Sequence, residues 1–200
     1  GGGGPEGRRG IALKLLPVTP VCLTGERMSQ PVTIELGEGG AHDARALRHA
    51  FGCFTTGVTV VTTVCEDGRR IGLTANSFTS VSLDPPLALV CVDLASRSLP
   101  ILDAAARFTV NVLHADQQAM ARQFVQKDGD RFAGIDTETW STGVPILPDC
   151  MANFECVTHQ VFDAGDHRVY VGRVVKLRYD PDHEPLVYLQ GRFRRVHVEA

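Results

Sequence analysis

Seven consecutive residues, Val58-Thr59-Val60-Val61-Thr62-Thr63-Val64, are all β-branched, and no other feature constrains the fold as strongly. Side chains branched at Cβ lose rotamer freedom in a helix and pack well on a pleated surface, so the run predicts a strand. Asp67-Gly68 follows as a hairpin turn into Ile71-Gly72-Leu73-Thr74. Residues 87–92 are continuously apolar and read as a fully buried strand. Further strands are expected at 108–113, 154–162 and 167–179, the last two joined through Asp163-Ala164-Gly165-Asp166. Residues 186–189 and 192–198 then finish the sheet.

Helices are fewer. Ala44, Leu47, Ala50, Phe51 and Phe54 recur at three- and four-residue spacing, which predicts an amphipathic helix with Asp43 as its N-cap. Ser98 caps a short helix with Pro100 in its first turn, and Asp116 caps another that runs to about residue 125. The stretch 126–148, with the lone Trp140, reads as irregular. Strands outnumber helices and repeated βα alternation is missing, which argues against a doubly wound parallel sheet. Closure would remove the sheet's edges, so the pattern predicts a mainly β fold with peripheral helices, an antiparallel β-barrel.

At 200 residues the chain suits one domain with an appendage. Residues 1–40, which begin Gly1-Gly2-Gly3-Gly4, read as a disordered N-terminal extension, and 41–200 as the folded domain. The Arg8-Arg9 pair precedes an apolar patch too short and interrupted for an export signal. Net charge is −3 with no basic run, which argues against nucleic-acid binding. No apolar stretch approaches the roughly 20 residues of a membrane span. Six cysteines form no C-x-x-C pair and most sit in apolar runs, so reduced core thiols and a cytoplasmic location are expected.

Between the strands before and after it lies Thr74-Ala75-Asn76-Ser77-Phe78-Thr79-Ser80-Val81-Ser82, closed by Leu83-Asp84-Pro85-Pro86. Six of those first nine residues carry hydroxyl or amide groups, with neither Gly nor Pro to make ordinary turn chemistry. By composition alone the stretch suits a solvated loop whose hydroxyls cap its own backbone. It equally offers short donors and acceptors to a planar guest.

Other chemistries lack their residues. The seven histidines show no H-E-x-x-H spacing and no Cys/His cluster, so no metal site is expected. G-x-S-x-G, G-x-G-x-x-G and the P-loop are missing. Cys91, in Leu-Val-Cys-Val, reads as a small buried apolar residue. What remains is a site of neutral hydrogen-bonding groups with one or two cations. It suits a phosphorylated, planar cofactor such as a flavin, which needs placement and charge stabilisation and no protein nucleophile.

Two blocks carry a family resemblance: Thr56-Gly57-Val58-Thr59-Val60-Val61-Thr62 and the long stretch from Thr74 to Pro86. With Ser96-x-Ser98, Phe108-Thr109-Val110-Asn111-Val112-Leu113, Arg131-Phe132-x-Gly134 and Ala164-Gly165-Asp166-His167, the chain over about 45–196 resembles the flavin reductase-like family. That family comprises the small reductase components of two-component flavin monooxygenases, on the FMN-binding split β-barrel. The resemblance implies an NAD(P)H:flavin oxidoreductase that passes hydride from NADH or NADPH to FMN or FAD and supplies a partner monooxygenase. It also implies a homodimer. A flavin-binding electron carrier, or a reductase of a corrinoid or ferric chelate, is the alternative on the same fold.

The resemblance further implies roles. Thr56, Gly57, Val58 and Thr59 border the cofactor at the strand entrance. Thr74, Ala75, Asn76 and Ser77 bind the ribityl chain and ring edge, with Asn76 the main side-chain contact. Ser80 and Val81 lie along the isoalloxazine, while Ser96, Arg97 and Ser98 reach the phosphate. His167 orients the nicotinamide and is the one residue placed near the chemistry. Arg97 also reads as a solvated cation and His167 as a surface histidine, while Arg131 reads as a structural clamp or a cofactor contact.

Overall fold

Every strand pairing among the described residues, 31–36 and 44–196 of a computed structural model, is antiparallel. Residues 31–36 belong to one unit, Gly1–Ala41, and are exposed without regular structure; all else lies in a second, His42–Ala200. Most of the expected extension, the Asp43 cap, Cys22 and the end of the last expected strand fall outside the described residues.

The second unit opens with α1 (Ala44–Phe51), followed by β1 (Thr56–Gly57), β2 (Thr59–Val64), β3 (Arg70–Ala75), β4 (Thr79–Leu83) and β5 (Pro86–Asp93). Helix α2 (Leu99–Ala105) leads into β6 (Arg107–Val112), a 3-10 turn (Ala115–Gln117) and α3 (Gln118–Gln123). Two short strands, β7 (Glu138–Thr139) and β8 (Pro145–Ile146), precede the long hairpin of β9 (Ala152–Ala164) and β10 (His167–Tyr179). The described chain closes with β11 (Val187–Leu189) and β12 (Arg192–Arg194).

Seven strands form one sheet in the order β3-β2-β6-β9-β10-β5-β4. Strand β3 also lies against β5, so the sheet curls round on itself as a split barrel. The alternation of β2 follows directly: Val61 points inward with Val90, Val92, Phe108, Val110, Cys156 and Tyr170. Val58 and Val60 point outward beneath Ala121, Phe124, Phe132 and Leu147. Burying both faces uses the β-branched run to the full, and Val60 and Val61 are wholly buried. Helix α2 contributes Leu99 and Leu102 to the inner cluster.

Two glycines mark close approaches. A Cβ on Gly72 would lie 2.4 Å from the Phe124 ring, and one on Gly172 would lie 2.6 Å from Phe108. The buried Asn111 pins three elements. Its Nδ2 donates to Val60 O (2.9 Å) and Thr62 Oγ1 (3.2 Å), and its Oδ1 accepts from Leu147 N (3.0 Å) and Asn153 Nδ2 (2.9 Å). All four hydrogen-bonding positions of the Asn111 amide are thereby filled.

The structure corrects several expectations. Most of the polar stretch is strand: only residues 76–78 remain a loop, and β4 pairs with β5 as an edge strand. An edge needs partners on one side only, so Ser and Thr are tolerated with their other flank in water. Strand β5 is not fully buried but alternates, with Ala88, Val90 and Val92 inward. The cap of the third helical segment is His114, whose Nδ1 accepts from Asp116 N (3.3 Å), and not Asp116. Ser98 sits at the N-cap of α2 without a side-chain cap bond. Residues after 186 do not finish the main sheet: β11 pairs with β1 and β12 in a separate three-stranded sheet. The expected irregular stretch holds the β7–β8 pair.

Candidate functional site

Two cavities meet at Asn76. Strand β3 ends just before it because Ser77 turns to β5: its hydroxyl accepts from Cys91 N (2.9 Å) and donates to Cys91 O (3.0 Å). That pair of bonds imitates a ladder step and anchors the loop. Asn76 is left exposed, and its amide makes no hydrogen bond among the described residues.

The first cavity, about 640 Å³, has β3 on one side with Thr74, Ala75 and Asn76, beside Val58. Gln118 and Arg122 of α3 and Val125 form a second side. A third comes from the β11–β12 hairpin, with Tyr188, Arg192 and Phe193. The hairpin turns through Gln190 and Gly191, both at positive φ (49° and 76°), the geometry of a tight two-residue turn that glycine favours. Its aromatic rings meet edge-on at 5.7 Å, and Arg122 lies 5.8 Å from the Phe193 ring centroid. The walls offer apolar faces and a polar edge of amides and guanidinium groups.

The second cavity, about 690 Å³, is bordered by Thr56, Asn76, Tyr188 and Gly191, and by Arg48, His49 and Phe51 of α1. Thr56 Oγ1 is buried with no hydrogen-bond partner. A buried hydroxyl without a partner costs free energy, of order 1–3 kcal/mol. Arg107 Nε, Thr109 Oγ1 and Thr158 Oγ1 share that state elsewhere, but among these four atoms only Thr56 Oγ1 belongs to a residue that borders either cavity.

Two further hydroxyls expected at the site already donate to backbone. Thr59 donates to Ala75 O (2.8 Å) and Thr74 to Ala121 O (2.7 Å). Each oxygen keeps acceptor capacity after donating. Ser80 and the half-exposed Val81 lie on the edge strand β4, while Gly57 is exposed in β1. Arg97 and the buried Ser98 line a third cavity, about 580 Å³, with Arg69, Arg70, Lys127 and Arg131. The amide nitrogen of Ser98 donates to Ser96 Oγ (3.3 Å). Arg131 is a clamp: Nε donates to Gln126 O and Nη1 to Gly72 O, each at 2.7 Å.

His167 opens β10 opposite Asp93 at the end of β5. Its Nδ1 lies 2.7 Å from Asp166 Oδ1, and that hydrogen bond, with the charge of His167, holds the Asp166 carboxyl below the usual range. Arg48 of α1 lowers the same carboxyl further. Leu94 N donates to Asp166 O (3.0 Å), tying the turn to the segment that carries Ser96, Arg97 and Ser98. The structure thus gathers Val58, Thr74, Ala75 and Asn76 around one cavity and Thr56 with Asn76 around its neighbour. His167 lines neither.

Sequence reasoning missed Gln118, Arg122, Tyr188, Arg192 and Phe193. The signal was Tyr188-Leu189-Gln190-Gly191-Arg192-Phe193, two aromatics placed symmetrically about a turn. Among the described residues, no group of three or more His, Cys, Asp or Glu side chains is placed to hold a metal ion.

Residues 51–197 match the family described as flavin reductase like domain. The chain is 48% identical over 136 residues to the reductase subunit of a stachydrine N-demethylase from Rhizobium meliloti, covering 68% of this chain and 59% of that protein. It spans 42% of a further relative from the same organism, so it corresponds to about half the length of these two proteins. An NADH-dependent FAD reductase of Streptomyces globisporus is 41% identical over 165 residues, with 79% of this chain and 88% of that protein covered. The solved structure of the S. globisporus NADH:FAD oxidoreductase with NAD and FAD fragments superposes with a TM-score of 0.75 at 40% identity, covering 79% and 95% of the two chains.

Proposed function

The chain belongs to the flavin reductase-like family, and on that premise we propose that it is an NAD(P)H:flavin oxidoreductase that supplies reduced FMN or FAD to a partner monooxygenase. The observation that carries the reading is Asn76: an unpartnered amide at the junction of two cavities whose walls are apolar and whose edges are amides and guanidinium groups. The orphaned Thr56 hydroxyl beside it adds a second group in want of a partner.

The residues fit a flavin. Thr56, Gly57, Val58 and Thr59 frame the entrance, and Thr74, Ala75, Asn76 and Ser77 border the ribityl chain and ring edge, Ser77 through the loop it anchors. Tyr188 and Phe193 supply flat apolar surface, and Arg122 and Arg192 bring positive charge toward the ring's polar edge. Ser80 and Val81 would lie along the isoalloxazine, and Ser96, Arg97 and Ser98 would serve the phosphate. Bound flavin takes hydride from reduced nicotinamide, so the protein need only align the two. His167, steadied by Asp166, presents its Nε2 edge and orients the nicotinamide.

The apolar surface left open supports a homodimer. Phe51 and Phe54 are 69% and 76% exposed, and both flank the second cavity. A second copy covering them would shelter the site from water. The five described cysteines are free thiols, and burial pushes Cys150 and Cys156 up to about 12, which suits a reducing compartment such as the cytoplasm. No helix among the described residues is long and apolar enough to cross a membrane.

Reduced-flavin formation, assayed anaerobically with FMN or FAD against NADH or NADPH, tests the reading. At least one of the four pairings is expected to turn over. Protein that binds flavin yet reduces none with either nicotinamide overturns it.

A further inference from the structure

The third cavity carries more positive charge than one phosphate requires. Five cationic side chains line it, Arg69, Arg70, Arg97, Lys127 and Arg131, against one carboxylate, Asp130. That carboxylate is engaged, since its Oδ1 accepts from Phe132 N at 2.9 Å. The chain as a whole has a net charge of −3, so the concentration is local.

Three of the five cations are held by neutral partners. Arg131 is fixed by two backbone carbonyls, and Arg97 donates to the carbonyl of Lys127. Arg70 lies with its guanidinium 4.7 Å over the Phe132 ring centroid and reaches Thr137 Oγ1 at 3.4 Å. The nearest acids are Asp67, 3.8 Å from Arg69, and Asp128, 3.9 Å from Arg97; both are largely exposed and their attraction is weak. Guanidinium groups oriented by carbonyls and a ring keep their charge for an anion, and their planes stack on aromatic bases. Ile71, Ile101 and Phe132 add apolar lining beside them.

Strand β3 joins this cavity to the flavin cavity. Ile71 and Gly72 line the one, Thr74 and Ala75 the other, two to four residues apart or about 7–13 Å along the strand. We propose that the Arg69–Arg70–Lys127 cavity takes the adenosine diphosphate half of a dinucleotide cofactor, with the pyrophosphate on the guanidinium groups and the purine on the Arg70 plane. The proposal rests on the flavin reductase reading and extends it. Two dinucleotides share this chemistry, FAD and the nicotinamide donor, while FMN lacks it.

The test is calorimetric titration of the full chain and of the double variant Arg69→Gln/Arg70→Gln with ADP alone, a probe that undergoes no turnover. Affinity for ADP is expected to fall about tenfold or more, the loss of one charge-assisted contact or more. Lys127→Gln, checked like the first variant for native circular dichroism, gives a second readout if the double variant does not fold. Weaker FAD with unchanged FMN assigns the site to the flavin; a raised KM for the nicotinamide with both flavins unchanged assigns it to the donor. Equal ADP affinity in parent and folded variants, or no ADP binding by the parent, overturns the proposal. A chain that binds ADP through these residues but reduces no flavin would leave this site standing and sink the proposed function instead.

Discussion

The Thr74 hydroxyl donates to the carbonyl oxygen of Ala121 at 2.7 Å, so one bond ties two walls of the Asn76 cavity. Thr74 is on β3 and Ala121 lies in α3 between Gln118 and Arg122, which face the same space. A helix of six residues has little stability of its own and depends on such anchors.

Thr74→Val keeps the shape and removes that anchor. Stability should fall by about 1–2 kcal/mol, from the lost bond and the stranded carbonyl. Flavin affinity should fall with it, because Gln118 and Arg122 lose their fixed position. Chemical denaturation and flavin fluorescence titration check the two effects.

Asn76→Ala should weaken flavin binding by about 1–3 kcal/mol, the range for losing a partner of a buried hydrogen bond. Its exposed amide makes no bond among the described residues, so the melting temperature should stay near that of the parent. Equal flavin affinity in the two proteins would remove Asn76 from the site.

His167→Ala should raise the KM for the nicotinamide while leaving the flavin dissociation constant nearly unchanged. Steady-state kinetics beside equilibrium flavin titration separates the two. Loss of flavin binding without a nicotinamide effect would contradict the assignment.

Glu155, wholly buried, predicts an acid limit to stability. Burial pushes its carboxyl up, but Ser141 Oγ (2.6 Å), Thr142 N and Thr142 Oγ1 (both 2.7 Å) donate to it, and Lys176 adds its charge. The outcome is a carboxyl held below the usual range. The unfolded chain, with a glutamate near pH 4.3, then binds the proton more readily than the native state. This stabilisation is therefore complete above about pH 4.3 and is lost as pH falls through the native value. Glu155→Gln should lower stability at neutral pH and flatten its acid dependence, read from denaturation midpoints across pH.

Gly72→Ala should cost about 1–3 kcal/mol, because the new methyl meets the Phe124 ring and the packed core must shift. Thermal unfolding measures it. Gly68→Ala is the comparator: its position has open space but a φ of +82°, so its cost comes from backbone strain alone.

Much of the barrel was legible in local sequence. The β-branched run became β2, Asp67-Gly68 became the turn before β3, and Asp163-Ala164-Gly165-Asp166 became the turn of the long hairpin, because each depends on neighbours along the chain. The polar stretch was misjudged as a long loop, since its pairing with β5 and the Ser77–Cys91 bonds are made across space. The true cap of the helical segment after β6 was missed for a related reason: His114 caps it with Gln117 returning the bond, and histidine is an unusual cap.

By itself, the sequence determined the antiparallel β character, which follows from side-chain shape and backbone preference acting over a few residues. Through the family resemblance it also pointed to the Asn76 stretch, which we propose holds the cofactor. Only the tertiary structure decided which groups share a cavity. It set Tyr188, Phe193 and Arg192 against Asn76 from more than a hundred residues away, and placed Arg69 and Arg70 beside Lys127. A separate hairpin and a loop bring those residues in across space, and no local preference encodes contacts at such separation.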